Sequence, residues 1–142
     1  MDTRRRKRIV LALIAVLILL FIWGQSMLPV KSSSAESGWL KDKIINPLLR
    51  LVGLGPLSSH AVRKAAHVVE FFALSLFTIL FFRGSVLCAV PICFAAAFLD
   101  ETIQLFSDRG AQVQDVWIDL IGVALGAALG WALSRRGRKH GT

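Results

Sequence analysis

Four long apolar blocks, set off by basic residues and turn formers, constrain this chain more than any other feature. They run Ile9 to Trp23, Ala65 to Phe82, Ser85 to Leu99 with a continuation through Phe106, and Val116 to Leu133. A hydrocarbon core about 30 Å thick takes about 20 helical residues at about 1.5 Å rise each. With a few flanking residues every block reaches that length. Lipid offers no water to backbone amides, so each block reads as an α-helix. The expected fold is all-α, an integral membrane bundle of four transmembrane helices over about residues 9–26, 63–82, 85–106 and 114–133.

Composition narrows the class further. The 142 residues are enough for one domain, 55% are hydrophobic, and the net charge is +8. Basic chains often bind nucleic acid, but here the basic residues flank apolar blocks, as membrane proteins arrange them. Cys88 and Cys93 both fall inside an apolar run, which excludes a disulfide scaffold and a Cys-rich metal site. They read as packing residues, and Pro91 between them as a helix kink.

The basic residues also orient the chain. Arg4 to Arg8 form a basic N-terminus over residues 1–8, and Arg135, Arg136, Arg138 and Lys139 lie in a basic tail over 134–142. Arg83 sits in a tight turn between the second and third blocks. Four spans put all of these on one face, which the positive-inside bias makes cytoplasmic. The first block competes with a signal-peptide reading, with Ser33-Ser34-Ala35 resembling a cleavage site. An uncleaved anchor is preferred, because Ala35 lies far beyond Trp23. Segment 24–64 is the only large extramembrane piece. Within it Ile44, Ile45, Leu48, Leu49, Leu51 and Val52 recur at near-helical spacing, which predicts a short amphipathic helix restricted by Pro47. It reads equally well as an interfacial helix or as a lid packed on the bundle.

Ionisable residues at membrane depth are costly and rarely scattered. Arg63, His67 and Glu70 cover about 60° of the second helix. Asp100, Glu101 and Gln104 cover about 100° of the third. Asp115, Asp119, Gly122, Gly126 and Gly130 lie within about 80° on the fourth. The alternating helix directions bring all three stripes to the outward half of the bundle, beside Arg109 in the last loop. The doubled Gly-x-x-x-Gly pattern of Gly122, Gly126 and Gly130 points the aspartates toward the bundle. Buried ion pairs can merely set helix register. For so many groups at one depth, a site is the preferred reading. His67, Glu70, Asp100 and Glu101 are the candidate catalytic residues. Arg63, Lys64, His67, Gln104, Arg109, Asp115 and Asp119 are the candidate ligand-binding residues. No HExxH-type spacing occurs, so no metal and no cofactor are expected. His60 and His140 show no evident partners, and Trp23, Trp39, Trp117 and Trp131 read as interfacial anchors.

These motifs carry a resemblance. Arg63-Lys64-x-x-His67-x-x-Glu70, Asp100-Glu101-x-x-Gln104, Arg109, Asp115 and the Gly122/Gly126 pair resemble the VanZ family, as do Ser26 and Pro29 after the first span. The resemblance covers roughly residues 9 to 133. Asp119 stands where the family pattern has Asn, and Glu70 where an aromatic is common. The resemblance implies a small bacterial membrane protein linked to glycopeptide resistance, mainly to teicoplanin. That drug carries a lipid tail and binds peptidoglycan precursors on the outer face. The implied partners are the bilayer and a lipid-linked cell-wall precursor or lipoglycopeptide, not nucleic acid. Four readings stay open: a binding or lipid-handling protein, an intramembrane acid/base enzyme, a proton-coupled transporter, and a structural partner of cell-wall machinery. The first is preferred.

Overall fold

A computed structural model describes residues 2–27, 38–39, 41–51, 55–56, 58–107 and 113–139. Its helices are α1 (Thr3–Met27), a π-helical turn (Lys41–Ile45) running into α2 (Asn46–Leu51), α3 (Ser59–Phe81), α4 (Val86–Phe106) and α5 (Val113–Lys139). Four of these, all but α2, are long and apolar enough to cross a bilayer. No strand occurs among the described residues.

The helices outrun the apolar blocks. α1 starts at Thr3, so the Arg4–Arg8 run is helical. Asp2 Oδ1 accepts the Arg4 backbone N–H at 3.2 Å and satisfies one of the orphan amides of the first turn. Arg and Lys are good helix formers, so nothing local stops the helix where the apolar pattern starts. α4 continues unbroken through Pro91 and through Asp100-Glu101 to Phe106. α3 is capped by Ser58, whose side chain accepts the Ala61 N–H at 3.1 Å. Its far end closes tightly: Gly84 N–H donates to Ile79 O at 2.8 Å, with Arg83 at φ 56° and Gly84 at φ 88°. That left-handed pair lets α4 turn back at once, and Arg83 is the residue that bears the cost of lacking glycine's freedom.

All four long helices contribute to one core of Ile22, Phe71, Leu74, Cys93, Ala96, Ala97 and Val123. Outward faces are apolar as well: Leu17, Leu87, Phe98, Phe106 and Trp117 are exposed. So much unburied apolar surface suits a lipid surround and not water.

The α3–α5 pair packs most closely, and glycines explain it. A Cβ at Gly122 would run into Val68 O, and one at Gly126 into Phe72 O. A Cβ at Gly130 would meet Ile79 Cγ2 at 2.8 Å. The absence of side chains at these positions brings the two backbones together, as small-x-x-x-small patterns do in membranes. Ser75 Oγ, fully buried, donates to Val123 O at 2.9 Å across the same interface.

The short helix between α1 and α3 forms as expected. None of the residues in its π-helical turn is buried, and Ile44 is half exposed. Leu48, Leu51 and Val52 lie outside the residues whose side chains are described.

Candidate functional site

The up-and-down topology sorts charge between the two ends of the bundle. Arg4, Arg5, Lys7, Arg8 and Arg83 gather around one groove at the end where α1 begins and α3 turns into α4. Arg8 stacks over the Phe81 ring there, 5.2 Å from its centroid. Arg135, in the last turns of α5, lies over Trp131. The opposite end holds the last turn of α1, the first turns of α3 and α5, and the last turns of α4. Each contributes polar side chains, and the deepest, Asp100, Asp119, His67 and Glu70, sit about 9–16 Å inside the helix ends.

Asp100 is the buried centre of this cluster, with no exposed surface. Ser26 Oγ donates to its Oδ1 at 2.6 Å, and Gln104 Nε2 donates to its Oδ2 at 2.7 Å. Gln104 also approaches Ser26 Oγ at 3.4 Å. The i, i+4 spacing of Asp100 and Gln104 makes their contact a helical one; Ser26 arrives from another helix. Hydrogen bonds to a charged acceptor are worth roughly twice those between neutral groups, so this trio ties α1 to α4 firmly.

A second pair lies nearer the helix starts. Lys64 Nζ lies 2.9 Å from Asp115 Oδ1, both side chains being about a quarter exposed. Between the trio and this pair stands His67. Its Nδ1 lies 3.9 Å from Glu70 Oε2, 3.9 Å from Asp100 Oδ2 and 3.7 Å from Asp119 Oδ1. Asp119 is 1% exposed, and its Oδ2 is buried with no hydrogen-bond partner. Glu101 is buried too, one helical position on from Asp100.

Glu101 also lines a lateral groove between α4 and α5. The groove has a volume of about 240 Å³ and is otherwise walled by Phe94, Phe98, Thr102, Val116, Trp117 and Leu120. Phe98 and Trp117 are more than half exposed, so the groove opens on the lipid-facing surface.

Lys64, His67, Glu70, Asp100, Gln104, Asp115 and Asp119 therefore converge. Arg63 does not join them: its guanidinium approaches His60 Nδ1 at 3.5 Å, near the start of α3, and gives His60 the partner that the sequence did not suggest. One position along a helix turns a side chain by about 100°, so Lys64, not Arg63, faces Asp115. Arg109, Pro29 and His140 lie outside the described residues. Trp23 differs from an interfacial anchor: its indole N–H points at Ala96 O, 3.4 Å away, and its ring packs on the core. Ser26 was not among the expected site residues. A lone buried hydroxyl at the end of an apolar helix was its only signal, together with its place in the family resemblance.

A polytopic helical membrane protein with one polar cluster inside its bundle is thus defined by fold and site together. Comparison with known proteins places it further. The VanZ/LLP1 family profile matches residues 9–134, and the chain belongs to that family. It is also 35% identical, over 79 residues, to YwnJ of Bacillus subtilis (strain 168), described as an uncharacterized membrane protein. The match covers 56% of this chain and spans only about half (55%) of the relative. No solved structure matches the chain.

Proposed function

We propose that the polar cluster faces outward in a bacterial cell membrane, with both termini cytoplasmic, and binds the headgroup of a lipid-linked cell-envelope component. The observation that carries this reading is the lateral groove beside the cluster: Glu101, which lines it, directly follows Asp100 on α4, and Val116 and Leu120, also in its wall, directly follow Asp115 and Asp119 on α5. An amphiphile needs a polar socket for its head and an apolar channel for its chain, at the depth where the two meet. Lys64, His67 and Arg109 supply donors for phosphate or carboxylate by charge-assisted hydrogen bonds. Glu70, Asp100 and Asp115 orient them. The basic residues at the other end of the bundle set the orientation by the positive-inside bias. The short helix α2 then lies at the outer interface. In the family's setting, such a protein protects against teicoplanin by engaging the drug's lipid-bearing body or the precursor it binds.

The test is the teicoplanin inhibitory concentration of a susceptible Gram-positive host. An empty vector, the wild type and the His67→Ala/Glu101→Gln double variant are compared at matched membrane abundance. Protection by the wild type alone is expected. Equal protection by the double variant would return the polar stripes to a purely structural role. Protection by neither would remove the resistance role.

A second reading has its own support. His67 lies close to three carboxylates at one depth, the constellation that general acid/base chemistry on a headgroup requires. That reading expects a chemically altered lipid or precursor; identical mass spectra with and without the protein would dismiss it.

A further inference from the structure

Two carboxylates with essentially no exposed surface, Asp100 and Asp119, flank a single imidazole. Buried carboxylates are tolerated when they are paired or coordinate a metal. Lys64, one turn before His67 on α3, is already engaged by Asp115. Asp100 accepts hydrogen bonds from Ser26 and Gln104, which orient its carboxylate toward His67. Asp119 presents a buried oxygen, Oδ2, that no donor reaches. One donor atom from each of His67, Asp100 and Asp119 lies within 4.8 Å of the other two. The His67 separations of 3.7 and 3.9 Å are too long for hydrogen bonds. They are close to the spacing of donors around a shared ion: ligands about 2.0–2.2 Å from a tetrahedral zinc stand roughly 3.3–3.6 Å apart. The two His67 separations need contract by only a few tenths of an ångström to reach that spacing, and the Asp100 and Asp119 oxygens, within 4.8 Å of each other, close on the ion by side-chain rotation.

We propose that His67, Asp100 and Asp119 form a binding site for a divalent transition-metal ion at the polar end of the bundle. One imidazole and two carboxylates make a borderline-hard donor set, suited to zinc or manganese and leaving a coordination position open. Ser26 and Gln104 act as the outer shell that orients the Asp100 carboxylate. The sequence expected no metal because it offers no HExxH-type spacing. The three donors come instead from three helices, α3, α4 and α5. This site goes beyond lipid handling and stands whether or not the groove receives a lipid. A bound ion with an open position gives an incoming phosphate or carboxylate a direct ligand.

Full-length protein is purified in detergent, stripped with a chelator and titrated with zinc chloride by calorimetry, with retained metal counted after dialysis. The wild type is expected to hold one equivalent. His67→Gln and Asp119→Asn, each near-isosteric, are expected to weaken binding at least ~100-fold, beyond what outer-shell changes cause. Ser75→Ala, on the far side of the α3–α5 contact, is expected to bind as the wild type does. Cobalt loading of the wild type reads the site without any substitution, through visible bands of nitrogen and oxygen ligation. Absence of zinc uptake and of those bands in the wild type would overturn the proposal. Equal binding in folded His67→Gln and Asp119→Asn would also overturn it, by assigning the metal to other groups. None of these readouts involves teicoplanin or a lipid, so failure here and failure of the proposed function are distinguishable.

Discussion

The α3–α5 interface is built in two halves by opposite means. From Gly122 onward it is dry and tight: glycines lie on backbone, Ile79 fills the space beside Gly130, and one buried hydroxyl bonds across. From Asp119 back to Asp115 the same helix pair meets through ionisable side chains, with His67 near Asp119 and Lys64 against Asp115. Close backbone approach maximises dispersion contacts where lipid gives no hydrophobic drive between helices. The tight half acts as a fixed clamp, and the polar half carries the ionisable side chains on the same two helices.

Substitutions that fill the clamp should do the most damage. In Gly126→Leu, the new side chain meets the Phe72 carbonyl, and neither backbone can move without losing the contact. Little folded protein is expected, read as monodisperse yield in detergent. Even Gly126→Ala should cost about 1–3 kcal/mol in a thermal or denaturant titration. If Gly126→Leu accumulates normally, the clamp description fails.

Ser26→Ala removes the donor to Asp100 Oδ1. It is expected to cost about 1–3 kcal/mol, because a buried charged acceptor loses a bond. The same variant should lower any activity of the cluster while leaving the α3–α5 clamp intact. A stability unchanged within error would mean that α1 is not coupled to the polar half.

A double-mutant cycle with Lys64→Met and Asp115→Asn should give a coupling of roughly 1 kcal/mol, as both side chains are partly solvated. Coupling near zero would mean that Lys64 does not offset the Asp115 carboxylate. The smallest effect is expected from Ser75→Ala. Interhelical hydrogen bonds in membranes average about 0.6 kcal/mol, and the clamp survives without this one. A loss several times larger would show that the dry half depends on polar bonding after all.

How much of this was legible from residues alone depends on periodicity. Apolar length gave the spans, and the 100° step gave the stripes on each helix: Asp100 with Gln104, Asp119 with the glycines. The end of the bundle at which they gather followed from alternating helix direction. The step also misled at Arg63 and Lys64, neighbours of like charge, because a stripe tolerates a width that a real contact does not. Nothing local told that the Arg4–Arg8 run is helical, since helix propensity does not change where hydropathy does.

The sequence by itself therefore determined the number of long helices, their polar faces and the glycine seam, because each depends on spacing within one helix. The tertiary structure alone decided the pairing of Ser26 with Asp100, of Lys64 with Asp115 and of His67 with Asp119. Those contacts join residues 74, 51 and 52 positions apart. Rotation and depth of each helix against its neighbours fix such contacts, and these are set by packing, chiefly by where the glycines let α5 settle on α3.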